Sequence, residues 1–176
     1  MIPANRPHLK HWPRRLPQSL EVPETTLWFN LEVSAARFPR KAALVFFGRS
    51  LSYAELKAQA ERMAGWLQAQ GVRKGERVAL YLQNCPQYVV AFYAVMRLGA
   101  VVVPVNPMNR VEEFGHYITD PDTRLVVCSA EGAAVVQQAN AALPAAQQLK
   151  AILVTRYADA LPEVIAPELA PAPALE

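Results

Sequence analysis

The sequence predicts an α/β domain, a mostly parallel, doubly wound sheet with helices on both faces. Three observations carry that expectation. Short β-branched or apolar runs alternate with stretches of helical period. The runs Val78 to Leu82, Val101 to Val103, Leu125 to Cys128 and Ala151 to Val154 are apolar on every residue or nearly so, as strands covered on both faces are. The connections between them are long enough for crossover helices rather than hairpins.

The elements follow in order. Residues 1–24 contain Pro3, Pro7, Pro13, Pro17 and Pro23, which predicts an extended arm with no regular element. A helix is expected from near Thr25-Thr26 through Leu27, Leu31 and Ala35 to Phe38, stopped by Pro39. Ala43 to Phe47 and Ser50 to Tyr53 flank Gly48-Arg49, the pattern of a short β-hairpin turning at those two residues. Ser52 and Glu55 stand three apart before a periodic stretch, the arrangement of a capping box. Leu56, Ala60, Met63, Ala64 and Leu67 then share one helical face, and Gly71 ends that helix.

Tyr88 to Val105 forms one long apolar run, interrupted by Arg97, Gly99 and Pro104. A membrane span needs roughly 20 mostly apolar residues and tolerates a central charge poorly. The interruptions fit a helix from Pro86 to Leu98, a stop at Gly99, and a buried strand from Val101 that Pro104 closes. Asn106-Pro107 then turns the chain. Asn109 and Glu112 offer an N-cap pair before Phe114, Tyr117 and Ile118, and Asp120-Pro121-Asp122 turns into the next strand. A helix over Glu131 to Leu143 and the strand at Ala151 complete a flavodoxin-like unit over residues 25–158. Residues 159–176, rich in Ala and Pro, read as a linker or truncation tail.

Composition limits the function classes. Apolar residues make up 52% of the 176, ordinary for a globular domain and too many for general disorder. Cys85 and Cys128 form no C-x-x-C pair and read as buried reduced thiols, with the cytoplasm as the default location. The net charge of +3 is uneven: Arg6, Lys10, Arg14 and Arg15 lie in the first 15 residues, which hold no acid. The arm has no apolar core of a signal peptide and reads as solvated or surface-hugging, with peripheral membrane contact left open. No basic stripe interleaved with aromatics points to nucleic acid.

Chemistry-bearing motifs are absent. The seven glycines form neither G-x-G-x-x-G nor a P-loop, and His8, His11 and His116 have no metal-ligand spacing. Glu112-Glu113 and Asp120/Asp122 read as caps and turns, and no G-x-S-x-G elbow occurs. No catalytic, cofactor-binding or metal-binding residue is assigned from the sequence.

Four pieces nevertheless occur in a telling order: Leu51-Ser52-Tyr53-Ala54-Glu55-Leu56, Gly71 to Leu80, Asn84-Cys85-Pro86, and Leu98-Gly99-Ala100-Val101 through Pro104-Val105-Asn106-Pro107. This succession, over about residues 22 to 156, resembles the N-terminal region of the adenylate-forming acyl-CoA synthetases. That superfamily includes firefly luciferase and peptide-synthetase adenylation domains. The versions here are most similar to fatty-acid:CoA ligases, and the resemblance implies one subdomain of a larger domain. It implies ATP, Mg²⁺ and CoA as cofactors of a full-length enzyme, which joins a carboxylate to AMP and then passes the acyl group to CoA. The matched positions Ser52, Tyr53, Glu55, Leu56, Gly71, Gly75, Gly99, Pro104 and Pro107 carry structural roles. The family's phosphate loop and catalytic lysine have no match, so the chain alone is expected to be inactive and to bind none of these cofactors. Glu131-Gly132-Ala133-Ala134 supplies no base for CoA. Alternatives are the same chemistry on an aromatic or other carboxylate, or a flavodoxin-like binding module without catalysis. Self-association is expected where a half-built cleft leaves apolar surface exposed.

Overall fold

The computed structural model describes residues 6–165. From residue 166 onward the expected Ala/Pro tail lies outside the described residues, as do residues 1–5 of the arm. Among the described residues five α-helices and six strands follow in sequence: α1 (Leu27–Arg37), β1 (Ala42–Phe46), β2 (Arg49–Ser52), α2 (Tyr53–Ala69), β3 (Arg77–Tyr81), α3 (Pro86–Arg97), β4 (Val101–Pro104), α4 (Val111–Thr119), β5 (Leu125–Ser129), α5 (Ala133–Ala141) and β6 (Ala151–Thr155). β1 and β2 form an antiparallel hairpin of their own. The other four make a parallel sheet in the order β4-β3-β5-β6.

β3 begins that sheet and sits inside it. The chain leaves it in one direction through α3 to β4, then returns through α4 to β5 on the other side. A reversal of direction puts right-handed crossovers on opposite faces. Ala91, Ala94 and Val95 of α3 accordingly pack with Val78, Leu80, Leu125 and Val127 on one face. Phe114 and Ile118 of α4 and Val136 and Ala139 of α5 pack with Ala79, Tyr81, Val126 and Cys128 on the other. The period of two along β3 and β5 thus feeds two cores, which is why these strands read as unbroken apolar runs.

α1, α2 and α3 form a layer over the first face. Trp28, Leu31, Leu56, Ala60 and Val90 make a third cluster between them. The Trp28 ring lies under the Arg97 guanidinium, whose carbon is 4.7 Å from the ring centroid. Arg97 also meets Glu61 at 3.3 Å, and Lys57 meets the same Glu61 at 2.7 Å. These charges are about a third exposed, so the pairs fix helix register more than they add stability.

The ends of the helices follow the sequence closely, with instructive slips. Ser52 caps α2: its hydroxyl accepts from the Glu55 amide at 3.3 Å, while Glu55 accepts from the Ser52 amide at 2.8 Å. Gly71 and Gly99 have positive φ, at 92° and 64°, as the stops after α2 and α3 require, and Gly75, at 83°, takes the same region in the turn before β3. The hairpin turns one residue earlier than expected, at Phe47-Gly48 rather than Gly48-Arg49. Both central residues take positive φ, 47° and 85°, as a right-twisted two-residue hairpin demands. The expected cap of α4 by Asn109 and Glu112 also moves by one. Arg110 is the N-cap residue, and Glu113 accepts from its amide at 2.8 Å. Asn109 is used elsewhere: its carbonyl accepts from the Tyr81 hydroxyl. The arm, expected to hold no regular element, contains a 3-10 turn over Pro7–His11.

Two measurements check this construction. Leu67 is wholly buried, so Leu67→Ala should cost about 2–5 kcal/mol in urea denaturation. Ser52→Ala, which removes a cap alone, should cost about 0.5–2 kcal/mol; the opposite ranking would displace α2. The second check is acidification. The Ser52 hydroxyl, then the Ser52 amide, hold the Glu55 carboxyl below its ordinary value. A depressed folded value means the box contributes fully above the unfolded value and is lost as pH falls through the folded one. Taking the pH below about 4 should therefore lower the urea midpoint of the wild type more than that of Glu55→Gln, which has no charge to lose.

Candidate functional site

In an open α/β sheet, ligands enter the crevice at the carboxyl ends of the strands where the winding direction reverses. Here that point lies between β3 and β5. Tyr81 ends β3, Ser129 ends β5, and Gly132 follows in the turn before α5. Tyr157, in a 3-10 turn after β6, folds back over the same end and is 3% exposed.

These groups hold one another. The Tyr157 hydroxyl accepts from the Gln83 amide at 2.7 Å. The Tyr81 hydroxyl donates to the Asn109 carbonyl at 2.6 Å, tying β3 to the turn after β4. The Ser129 hydroxyl accepts from the Gly132 amide at 3.2 Å. Burial pushes both phenols above the ordinary tyrosine value; for Tyr157 the Gln83 amide works against it. These bonds position backbone at the strand ends, and the Tyr81 donor is already spent on the Asn109 carbonyl.

Gly132 shows how tightly the end is closed. Its φ of −82° suits any residue, so conformation does not call for glycine. Close approach does: a Cβ there would stand 2.6 Å from Cε1 of Tyr81 and 3.4 Å from the Ser129 hydroxyl. The glycine makes room for the Tyr81 ring, as a fingerprint glycine of a nucleotide fold lets backbone approach a pyrophosphate.

A cavity of about 200 Å³ lies nearby, between the hairpin and the start of α3, lined in part by Leu44, Leu51, Pro86 and Gln87. It is smaller than the 300–1,000 Å³ typical of ligand pockets. Its cation is engaged, since Arg49 donates to the carbonyls of Asp159 at 3.2 Å and Leu161 at 3.1 Å. Gln87 spends its amide nitrogen on the Arg156 carbonyl at 2.8 Å, which leaves its buried Oε1 without a protein partner.

The sequence-singled residues fall where structure needs them. Ser52 and Glu55 form the cap, Tyr53 opens α2, and Leu56 is buried on it. Pro104 ends the edge strand β4, where a missing N–H costs least, and Pro107 lies in a turn that the Asn106 side chain closes onto the Met108 amide. Cys85 and Cys128 are buried and unpaired, and burial raises the Cys128 thiol to about 11. His116, Glu112 and Glu113 stay on the exposed side of α4. Among the described residues no three His, Cys, Asp or Glu side chains are grouped to hold a metal ion, and no helix is long and apolar enough to cross a membrane. Sequence reasoning missed Tyr81, Ser129, Gly132 and Tyr157, whose only local signal was a glycine directly after a strand.

Known proteins share this arrangement. Residues 31–174 match the family described as AMP-binding enzyme, and the chain belongs to that family. It is 36% identical over 124 residues to a long-chain-fatty-acid–CoA ligase of Bacillus subtilis, covering 70% of this chain and 22% of that protein. It is 37% identical over 115 residues to an oxalate–CoA ligase of Arabidopsis thaliana, covering 64% and 22%. Among solved structures it resembles the inhibitor-bound N-terminal domain of FACL13 from Mycobacterium tuberculosis. There the TM-score is 0.69 at 30% identity, with 77% of this chain and 34% of that one covered. The chain spans about a fifth of the length of the curated relatives it matches.

A double-mutant cycle tests the closed strand end. Gly132→Ala should destabilise by about 1–3 kcal/mol through overpacking against Tyr81. In a Tyr81→Leu background the same substitution should cost less. Equal costs in both backgrounds would mean that the ring does not set the size limit.

Proposed function

We propose that this chain is the scaffold portion of a fatty-acid:CoA ligase and has no catalysis of its own. In the whole protein, ATP and a carboxylate would form an acyl adenylate and pyrophosphate, and the CoA thiol would then displace AMP. The observation that carries the scaffold reading is the closed strand end. Tyr81 and Tyr157 occupy the crevice where a doubly wound fold takes its ligand, and each hydroxyl is held by backbone, Tyr81 donating to the Asn109 carbonyl and Tyr157 accepting from the Gln83 amide. ATP, Mg²⁺ and CoA would bind to groups that these residues do not supply. The 36% identity to a long-chain-fatty-acid–CoA ligase favours a fatty acid as substrate. The oxalate–CoA ligase at 37% identity supports a second reading, the same chemistry on another carboxylate.

In this reading residues 25–158 are the N-terminal subdomain, the arm precedes it, and a linker follows. Two buried, unpaired thiols are consistent with the cytoplasm. Exposed Val45 on β1 and Val154 on β6 favour self-association when the chain is alone.

The test is fatty-acid-dependent exchange of labelled pyrophosphate into ATP. The 176-residue chain should show none above background, because each missing preorganised donor removes orders of magnitude of rate. Exchange by the chain alone would put catalytic groups within these residues. A panel of carboxylic acids assayed with the whole protein separates the two substrate readings.

A further inference from the structure

We propose that the N-terminal arm is an interfacial anchor that holds the protein on an anionic lipid surface. The proposal stands apart from the catalytic reading, because the arm touches none of the residues on which that reading rests.

Composition alone makes the arm a solvated basic segment. The structure adds a fold and an orientation. Pro7–His11 forms a 3-10 turn, and the chain then turns again over Pro13 to Leu16, where the Leu16 amide donates to the Pro13 carbonyl at 3.0 Å. The Trp12 indole N–H closes this second turn, donating to the carbonyls of Leu16 at 3.2 Å and Pro17 at 3.1 Å. The arm is thus ordered by its own hydrogen bonds, while Leu9 is half-buried, Trp12 is 39% exposed and the leucines and valine that follow are largely exposed. Leu16 is 55% exposed, Leu20 85% and Val22 76%. Apolar side chains held this way stand ready for a surface outside the domain.

The charges point to the same surface. Arg6, Lys10, Arg14 and Arg15 alternate with Leu9, Trp12 and Leu16, and no acid precedes Glu21. Among the described residues none of the four cations pairs with a carboxylate. Each base near an anionic leaflet adds attraction, tryptophan favours the headgroup level, and leucines enter the acyl boundary. A nucleic acid would use the cations, but it has no place for three leucines and would find only one large ring on which to stack. The bilayer uses every exposed group.

The test is flotation of the 176-residue chain with vesicles of phosphatidylcholine alone or with about 30% phosphatidylglycerol. Binding to the anionic vesicles should be at least about tenfold stronger, and should disappear near 1 M salt, where screening shortens to roughly 3 Å. The variant R6Q/K10Q/R14Q/R15Q should lose at least about tenfold, since each cation contributes separately. W12A should weaken binding without changing its salt dependence. Among the described residues no hydrogen bond or ion pair joins these side chains to the domain, so both variants should keep the wild-type urea midpoint. Equal binding to the two vesicle types, full binding by the quadruple variant, or no binding would each overturn the proposal. So would single-stranded DNA that competes as well as the anionic vesicles do, because the arm would then select charge and not lipid.

Discussion

The structure depends on one constraint, the burial of β3 on both faces and along both edges. Val78 and Leu80 belong to one core, Ala79 and Tyr81 to the other, and β4 and β5 pair with it on either side. From Val78 to Tyr81 a strand so placed admits no charged side chain, and every backbone group must find its partner in the ladder. The consequences extend outward. The helices must lie on both faces, the crossovers must reverse direction, and the loops at the amino ends of the strands must be tight. Those loops are stapled by backbone: the Gly75 amide donates to the Gly99 carbonyl at 3.0 Å, and the Val101 amide to the Glu76 carbonyl at 2.8 Å.

The opposite end of the sheet is governed by side chains instead. Tyr81 and Tyr157 place their rings where a doubly wound fold ordinarily leaves a crevice, and Gly132 is small so that one ring can lie flat against the turn. This division gives the domain a rigid base and a sealed top.

Most of the fold was legible because its signals are local. Periodicity placed the helices and strands to within a few residues, and the Ser52–Glu55 pair and the stops at Gly71 and Gly99 stand as read. The hairpin slipped by a residue because a phenylalanine, Phe47, holds a positive φ that favours glycine or asparagine, so no residue type marked it. The cap of α4 slipped because Asn109 looked like the better capping side chain, while its backbone was committed to Tyr81. The sealed crevice was not legible at all. Tyr157 stands at the edge of an Ala/Pro-rich stretch, and its partner, the Gln83 amide, is 74 residues away. Gly132 carries no conformational signature, since its role is distance to a ring and not a dihedral angle.

The reversal of winding at β3 also sets an order of assembly. As the chain leaves the ribosome, β3, α3 and β4 emerge together and can pair by a short crossover. The other edge of β3 then waits until Leu125 to Ser129 arrive, and β6 must follow before β5 is covered in turn. Through that interval the strand that becomes the most buried is an open apolar edge, the kind that recruits a wrong partner. The pairing that completes the centre of the sheet, β5 against β3, thus joins segments distant in sequence, and such contacts are the slow ones to form.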